Sequence, residues 1–108
     1  MKFLFTAGAA IMAMPSTAIA QRIELDRLVG YTITAKKPIK AFYQDGKFEK
    51  GFKGCERNRI IVFHDGSTLK CKGYHHRYNY KPDAFILTKS RDIKMVVDGE
   101  IYDMERSQ

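Results

Sequence analysis

The sequence predicts an all-β domain, and three observations carry that expectation. From Tyr31 onward the chain is rich in β-branched and aromatic residues cut by Gly, Asp and Pro, with no window of sustained 3.6-residue apolar period. Three Asp-Gly pairs, Asp45-Gly46, Asp65-Gly66 and Asp98-Gly99, each stand between β-prone runs, the strongest short-range hairpin signal there is. Two cysteines, Cys55 and Cys71, bracket the central hairpin and suit a small stapled domain.

The elements follow in order. Lys2 provides a positive amino end, Phe3 to Met14 an apolar run, and Ala18-Ile19-Ala20 the small-x-small pattern that a signal peptidase cuts. The run from Phe3 to Ala13 is shorter than the roughly 20 residues needed to cross a bilayer. Residues 1–20 therefore read as a signal peptide and 21–108 as one small β domain, periplasmic or secreted. No Cys follows the cut, so no lipid anchor is indicated. No later apolar segment reaches spanning length.

Arg22 to Val29 holds Ile23, Leu25, Leu28 and Val29 among charges, which suits one or two helical turns ending at Gly30, or a lead-in strand. Around Asp45-Gly46 a two-residue turn pairs Tyr43 with Phe48, although Lys47, Lys50, Gly51, Lys53 and Gly54 make the second arm polar and flexible. Glu56-Arg57-Asn58 reads as a turn or bulge that folds Cys55 over the sheet. Around Asp65-Gly66 a two-residue type I′ turn pairs Val62 with Leu69 and Ile60 with Cys71. That register sends Ile60, Val62, Leu69 and Cys71 inward, and Ile61 and Phe63 to a mixed outer face beside Thr68, Lys70 and Lys72.

Tyr74 to Tyr80 reads as a strand, Pro82-Asp83 as a break, and Ala84 to Thr88 as a well-buried strand. Around Asp98-Gly99 the pairs are Met95 with Tyr102, Ile93 with Met104, and Lys94 with Asp103 as a cross-strand ion pair. Arg106-Ser107-Gln108 is a frayed tail. About six short strands with frequent turns favour a small, partly open barrel of the SH3-like kind, with an OB-like barrel or a two-sheet sandwich as alternatives.

The segment from Gln21 to Gln108 spans 88 residues, enough for one core and marginal without a staple. A Cys55–Cys71 disulfide closes a loop of about 17 residues, for which chain entropy gives on the order of 3 kcal/mol. Without Lys2 the chain carries 18 Lys+Arg against 12 Asp+Glu, a net charge of +6. Outside the cytoplasm such an excess points to anionic lipids or wall polymers, and no nucleic acid is expected.

The densest candidate contact surface is Tyr74-His75-His76-Arg77-Tyr78-Asn79-Tyr80-Lys81. On a strand, Tyr74, His76, Tyr78 and Tyr80 share one side and His75, Arg77, Asn79 and Lys81 the other, an aromatic stripe backed by a basic one. Aromatic rings stack on sugar faces while Arg77, Lys81 and Asn79 bond anionic groups. Tyr74, His75, Arg77, Tyr78, Tyr80 and Lys81 are thus the expected ligand-binding residues. A structural reading competes: the tyrosines form one wall of the barrel.

Metal chemistry finds little support, because His75 and His76 point to opposite sides of a strand and His64 sits at a turn, where it would pair with Ser67. Neither a nucleophile with its base nor a Gly-rich phosphate loop appears, so no catalytic residue and no cofactor is expected. Lys47 to Lys53, with Phe48, Phe52 and three lysines beside Glu49, resembles in composition a basic-aromatic loop able to touch an anionic membrane, but with only two aromatics it reads first as an ordinary exposed hairpin arm. The expected function is a non-catalytic cell-envelope module contacting a wall glycan or other anionic polymer. A periplasmic protein-interaction or inhibitor module, and a small metal-binding protein or hydrolase, are the alternatives.

Overall fold

The computed structural model describes residues 24–75 and 83–107. The expected leader and its cleavage site lie outside them. Leu25–Leu28 form a single 3₁₀ turn with no buried residue, and Gly30 at φ +86° ends it and releases the chain into the first strand. Seven strands follow: β1 (Thr32–Gln44), β2 (Lys47–Lys50), β3 (Ile60–Phe63), β4 (Thr68–Cys71), β5 (Asp83–Lys89), β6 (Asp92–Val97) and β7 (Glu100–Glu105). All pairings are antiparallel, in the order β2-β1-β3-β4-β7-β6-β5, and β5 returns to pair with β1. The barrel of about six strands is therefore closed rather than partly open, with β2 added outside it.

Closure depends on the length of β1. Its first half, Thr32 to Pro38, pairs with β5, and its second half, Ile39 to Tyr43, pairs with β3. Register shifts between Ile33 and Ala35 and between Ile39 and Ala41 let one 13-residue strand bend to serve both neighbours. Pro38, which has no N–H to give a ladder, sits where β1 changes partner. The β4-β7-β6-β5 portion is a Greek key, whose long connection is the stretch between β4 and β5.

Two of the three Asp-Gly turns form as the sequence predicts. Asp45 (φ 52°) with Gly46 (φ 82°) and Asp98 (φ 51°) with Gly99 (φ 82°) carry the paired positive φ values of type I′ turns. Tyr43 accordingly faces Phe48. Met95 faces Tyr102, Ile93 faces Met104, and Lys94 forms its ion pair with Asp103.

The central hairpin departs from expectation by one residue. Asp65 does not adopt positive φ; Gly66 alone does, at 90°. The Gly66 N–H donates to the Phe63 carbonyl and the Phe63 N–H to the Ser67 carbonyl, both at 2.9 Å, which makes a three-residue loop. The Asp65 carboxylate holds that loop by accepting from the Ser67 N–H (2.9 Å) and the Ser67 hydroxyl (2.5 Å). His64 donates its N–H to the Pro38 carbonyl rather than pairing with Ser67.

The added loop residue moves the pairs to Ile61–Leu69 and Ile60–Lys70, and a one-residue slip exchanges the faces. Ile61 and Phe63 are therefore core residues at 0% and 1% exposure, while Ile60 and Val62 lie half-buried on the outside. Cys71 still points inward, on the face of Leu69 and Ile61.

The core gathers Phe42, Phe52, Phe63, Ile61, Met95, Met104, Val97 and Cys71. In β5, Ala84 and Ile86 join the core, Leu87 is buried outside that cluster, and Phe85 faces out. The Cys55–Cys71 disulfide is formed, with Cα atoms 5.6 Å apart. Cys55 reaches it over the expected turn, closed by the Arg59 N–H donating to the Glu56 carbonyl, with Asn58 at φ 68°.

Arg59 fixes the segment that carries Cys55. It is 5% exposed, the only buried charged residue among those described. Its Nε donates to Gln44 Oε1 at 2.8 Å, and its Nη1 to the carbonyls of Lys53 (3.3 Å) and Gly54 (3.2 Å). Nη2 meets Glu56 at 3.2 Å, and the guanidinium lies 4.3 Å above the Phe42 ring. The buried charge is thus both paired and hydrogen-bonded, as burial requires. Nothing in the local sequence announces it.

Candidate functional site

The site is built at the barrel end where β4 leaves the sheet. Past Cys71 the ladder continues for one bond, from the Lys72 N–H to the Asp103 carbonyl at 3.0 Å, and then Gly73 turns the chain away from β7. Tyr74 and His75 follow, and His75 rejoins the fold through a two-bond bridge to Cys55, of 2.7 and 2.8 Å. The disulfide therefore anchors this stretch as well as the barrel, because Cys55 holds Cys71 by sulfur and His75 by backbone.

A cavity of about 630 Å³ opens between this stretch, the first half of β7 and the 3₁₀ turn. Tyr74, His75, Glu100, Asp103, Glu24 and Arg27 supply its functional groups. Tyr74 is 67% exposed. The His75 ring packs edge-on to Tyr102 at 5.2 Å, and its Nε2 lies 2.9 Å from Glu100 Oε1. Phe52 braces the other side of Tyr102, edge-on at 5.4 Å, so the core fixes the ring on which His75 rests.

Each carboxylate of the cavity faces a basic side chain: Glu24 faces Arg27 at 3.4 Å, Glu100 faces the His75 ring, and Asp103 faces Lys94. The exposed Glu24–Arg27 pair is worth about 0–1 kcal/mol, so a ligand exchanges partners with it at small cost. An exposed phenol ring beside carboxylate acceptors and guanidinium and imidazole donors can stack on a flat apolar face and bond its peripheral hydroxyls.

Of the expected ligand-binding residues, the structure brings Tyr74 and His75 to this cavity. Arg77, Tyr78, Tyr80 and Lys81, with His76 and Asn79, lie outside the described residues. Among the described residues, Tyr74 and His75 belong to no strand, and the pairing there is the bridge from His75 to Cys55. Glu24, Arg27, Glu100 and Asp103 were not expected at the site. They arrive from the opposite end of the sequence and across the sheet, with no local spacing to reveal them.

Among the described residues no group of three His, Cys, Asp or Glu side chains is placed to hold a metal ion, and both cysteines are consumed in the disulfide. Elsewhere, hydrogen bonds from the Ser67 hydroxyl, the Ser67 N–H and Lys37 pull the Asp65 carboxyl down to about 2. The Lys53 hydrogen bond lowers Glu49. No described helix is long and apolar enough to cross a membrane. Compared with protein-family models, curated proteins and solved structures, the chain matches none.

Proposed function

We propose that this protein is an exported, non-catalytic binding domain of the cell envelope, and that its ligand is a wall glycan held at the Tyr74 cavity. The exposed Tyr74 ring on the rim of a carboxylate-lined cavity carries the reading. A sugar ring has an apolar face suited to Tyr74 and equatorial hydroxyls suited to Glu24, Glu100 and Asp103. A pocket of this size accepts one or two sugar units and leaves a longer chain free to run along the surface. The three carboxylates of the lining offer acceptors to the hydroxyls of a glycan.

The test is an amide-resolved NMR titration of the oxidised protein with solubilised envelope glycan fragments at low and moderate salt. Shifts centred on Tyr74, His75 and Glu100 to Asp103 that persist at moderate salt support the reading. Shifts spread over the lysines that vanish with salt reject it and leave only nonspecific charge attraction.

A further inference from the structure

The observed register places on the outside of the barrel a face that the sequence had assigned to the core. Two rows cross β2, β1, β3 and β4 on this side. One runs Phe48, Tyr43, Ile60, Lys70 and the other Lys50, Ala41, Val62, Thr68, in which Ala41 is covered by its neighbours. Tyr43 and Phe48 meet edge-on at 5.2 Å and are 42% and 47% exposed. Ile60 and Val62 continue the apolar surface, half-buried. The aromatic pair sits one residue back from the Asp45-Gly46 turn, on the hairpin whose second strand lies outside the closed barrel.

Lysines frame this face at opposite corners. Lys50 closes one row and Lys70 the other, Lys47 stands beside the turn, and Lys40 is exposed on β1. Lys70 is shared with Glu105 at 3.6 Å. Phe52, which the composition of Lys47 to Lys53 offers as a second surface aromatic, is instead buried at 1% exposure, and Tyr43 takes its place. The rows carry no carboxylate and no amide side chain, so the side-chain acceptors they offer a glycan are the hydroxyls of Tyr43 and Thr68.

We propose that this β1–β2 hairpin face docks on an anionic lipid bilayer. Aromatic rings with a polar edge settle at the headgroup level, aliphatic side chains beside them bury in the acyl boundary, and lysines at the rim meet lipid phosphates. Charge complementarity selects the bilayer, because the charged residues of the two rows from β2 to β4 are both lysines, Lys50 and Lys70, and the row carboxylate beyond them, Glu105 on β7, is paired with Lys70. The proposal is independent of the glycan reading, which concerns residues of β7 and the β4–β5 connection.

The experiment is hydrogen exchange by mass spectrometry on the full chain, with phosphatidylcholine vesicles either lacking or containing phosphatidylglycerol. An uncleaved Phe3 to Ala13 run would hold every variant on both vesicles, so the reading is protection of the hairpin from Lys40 to Lys50. The expected result is protection that requires phosphatidylglycerol and is lost in Phe48→Ser. In Lys47→Glu/Lys50→Glu the lipid concentration for half-protection should rise roughly 25-fold or more, from about 1 kcal/mol per lysine near an anionic surface. All three substituted side chains, Phe48, Lys47 and Lys50, are exposed, and an unchanged far-UV spectrum checks folding. Hairpin exchange that vesicles do not alter, equal protection by both lipids, or full protection retained in Phe48→Ser would overturn the proposal. Protection that grows with protein concentration in the absence of lipid would overturn it too, in favour of a second copy on this face.

Discussion

Replacing Arg59 should do more damage than replacing any other charged residue described here. Arg59→Ala deletes three hydrogen bonds, the Glu56 pair and the stack on Phe42, and strands the Lys53 and Gly54 carbonyls near a buried void. Hydrogen bonds to a charged donor contribute about 1.5–3 kcal/mol each before compensation, and a desolvated cation–π contact about 2. These terms share one side chain and do not add. Removal of one partner from a buried polar cluster gives about 3–5 kcal/mol.

The Glu56 contact is a small part of that, because Glu56 is 40% exposed on its side chain and such pairs contribute at most about 1 kcal/mol. Urea denaturation of the oxidised protein, followed by far-UV circular dichroism, reads the effect. With a slope of about 1–3 kcal/mol per molar urea, the midpoint should fall by 1 M or more. Arg59→Met separates the causes, since it keeps the volume over Phe42 and still abandons the two carbonyls. It should recover only part of the loss. A change below about 1 kcal/mol in Arg59→Ala would refute the reasoning and show that water satisfies those carbonyls without cost.

Three further outcomes test other parts of the structure. Cys71→Ala should lower stability by about 2–5 kcal/mol, the range for a native disulfide in a small secreted domain, and an unchanged melting temperature would reject the staple. Ile61→Ala should cost about 2–5 kcal/mol because Ile61 is fully buried, and Ile60→Ala distinctly less; the reverse order would restore the two-residue turn. Carboxyl NMR should place the Asp65 midpoint at about 2, against an ordinary value of 3.8. Because the folded state lowers this value, the Asp65 contribution is complete above the ordinary carboxylate range and fades as pH falls toward 2. A midpoint near 3.8 would show that the Ser67 and Lys37 contacts do not hold in solution.

The sequence by itself determined the all-β class, the disulfide, and the turns and registers around Asp45-Gly46 and Asp98-Gly99. Each of those rests on short-range chemistry: an Asp-Gly pair tolerates two successive positive φ values, and a two-residue loop leaves the flanking residues one way to pair. Asp65-Gly66 shows the limit of that rule. There Ser67 supplies a hydroxyl and an N–H for the Asp65 carboxylate, Lys37 arrives from β1, and a three-residue loop wins, turning Ile61 and Phe63 inward.

Tertiary structure alone decided barrel closure, the burial of Arg59, and the company Tyr74 and His75 keep. Closure needs one strand to bend between partners far apart in sequence, and Arg59 is buried only because Gln44 and the carbonyls of Lys53 and Gly54 converge on it. Glu24 and Arg27 meet Glu100 and Asp103 across more than seventy residues of chain. Local propensity acts over a few residues, whereas these contacts exist only once the chain has closed on itself.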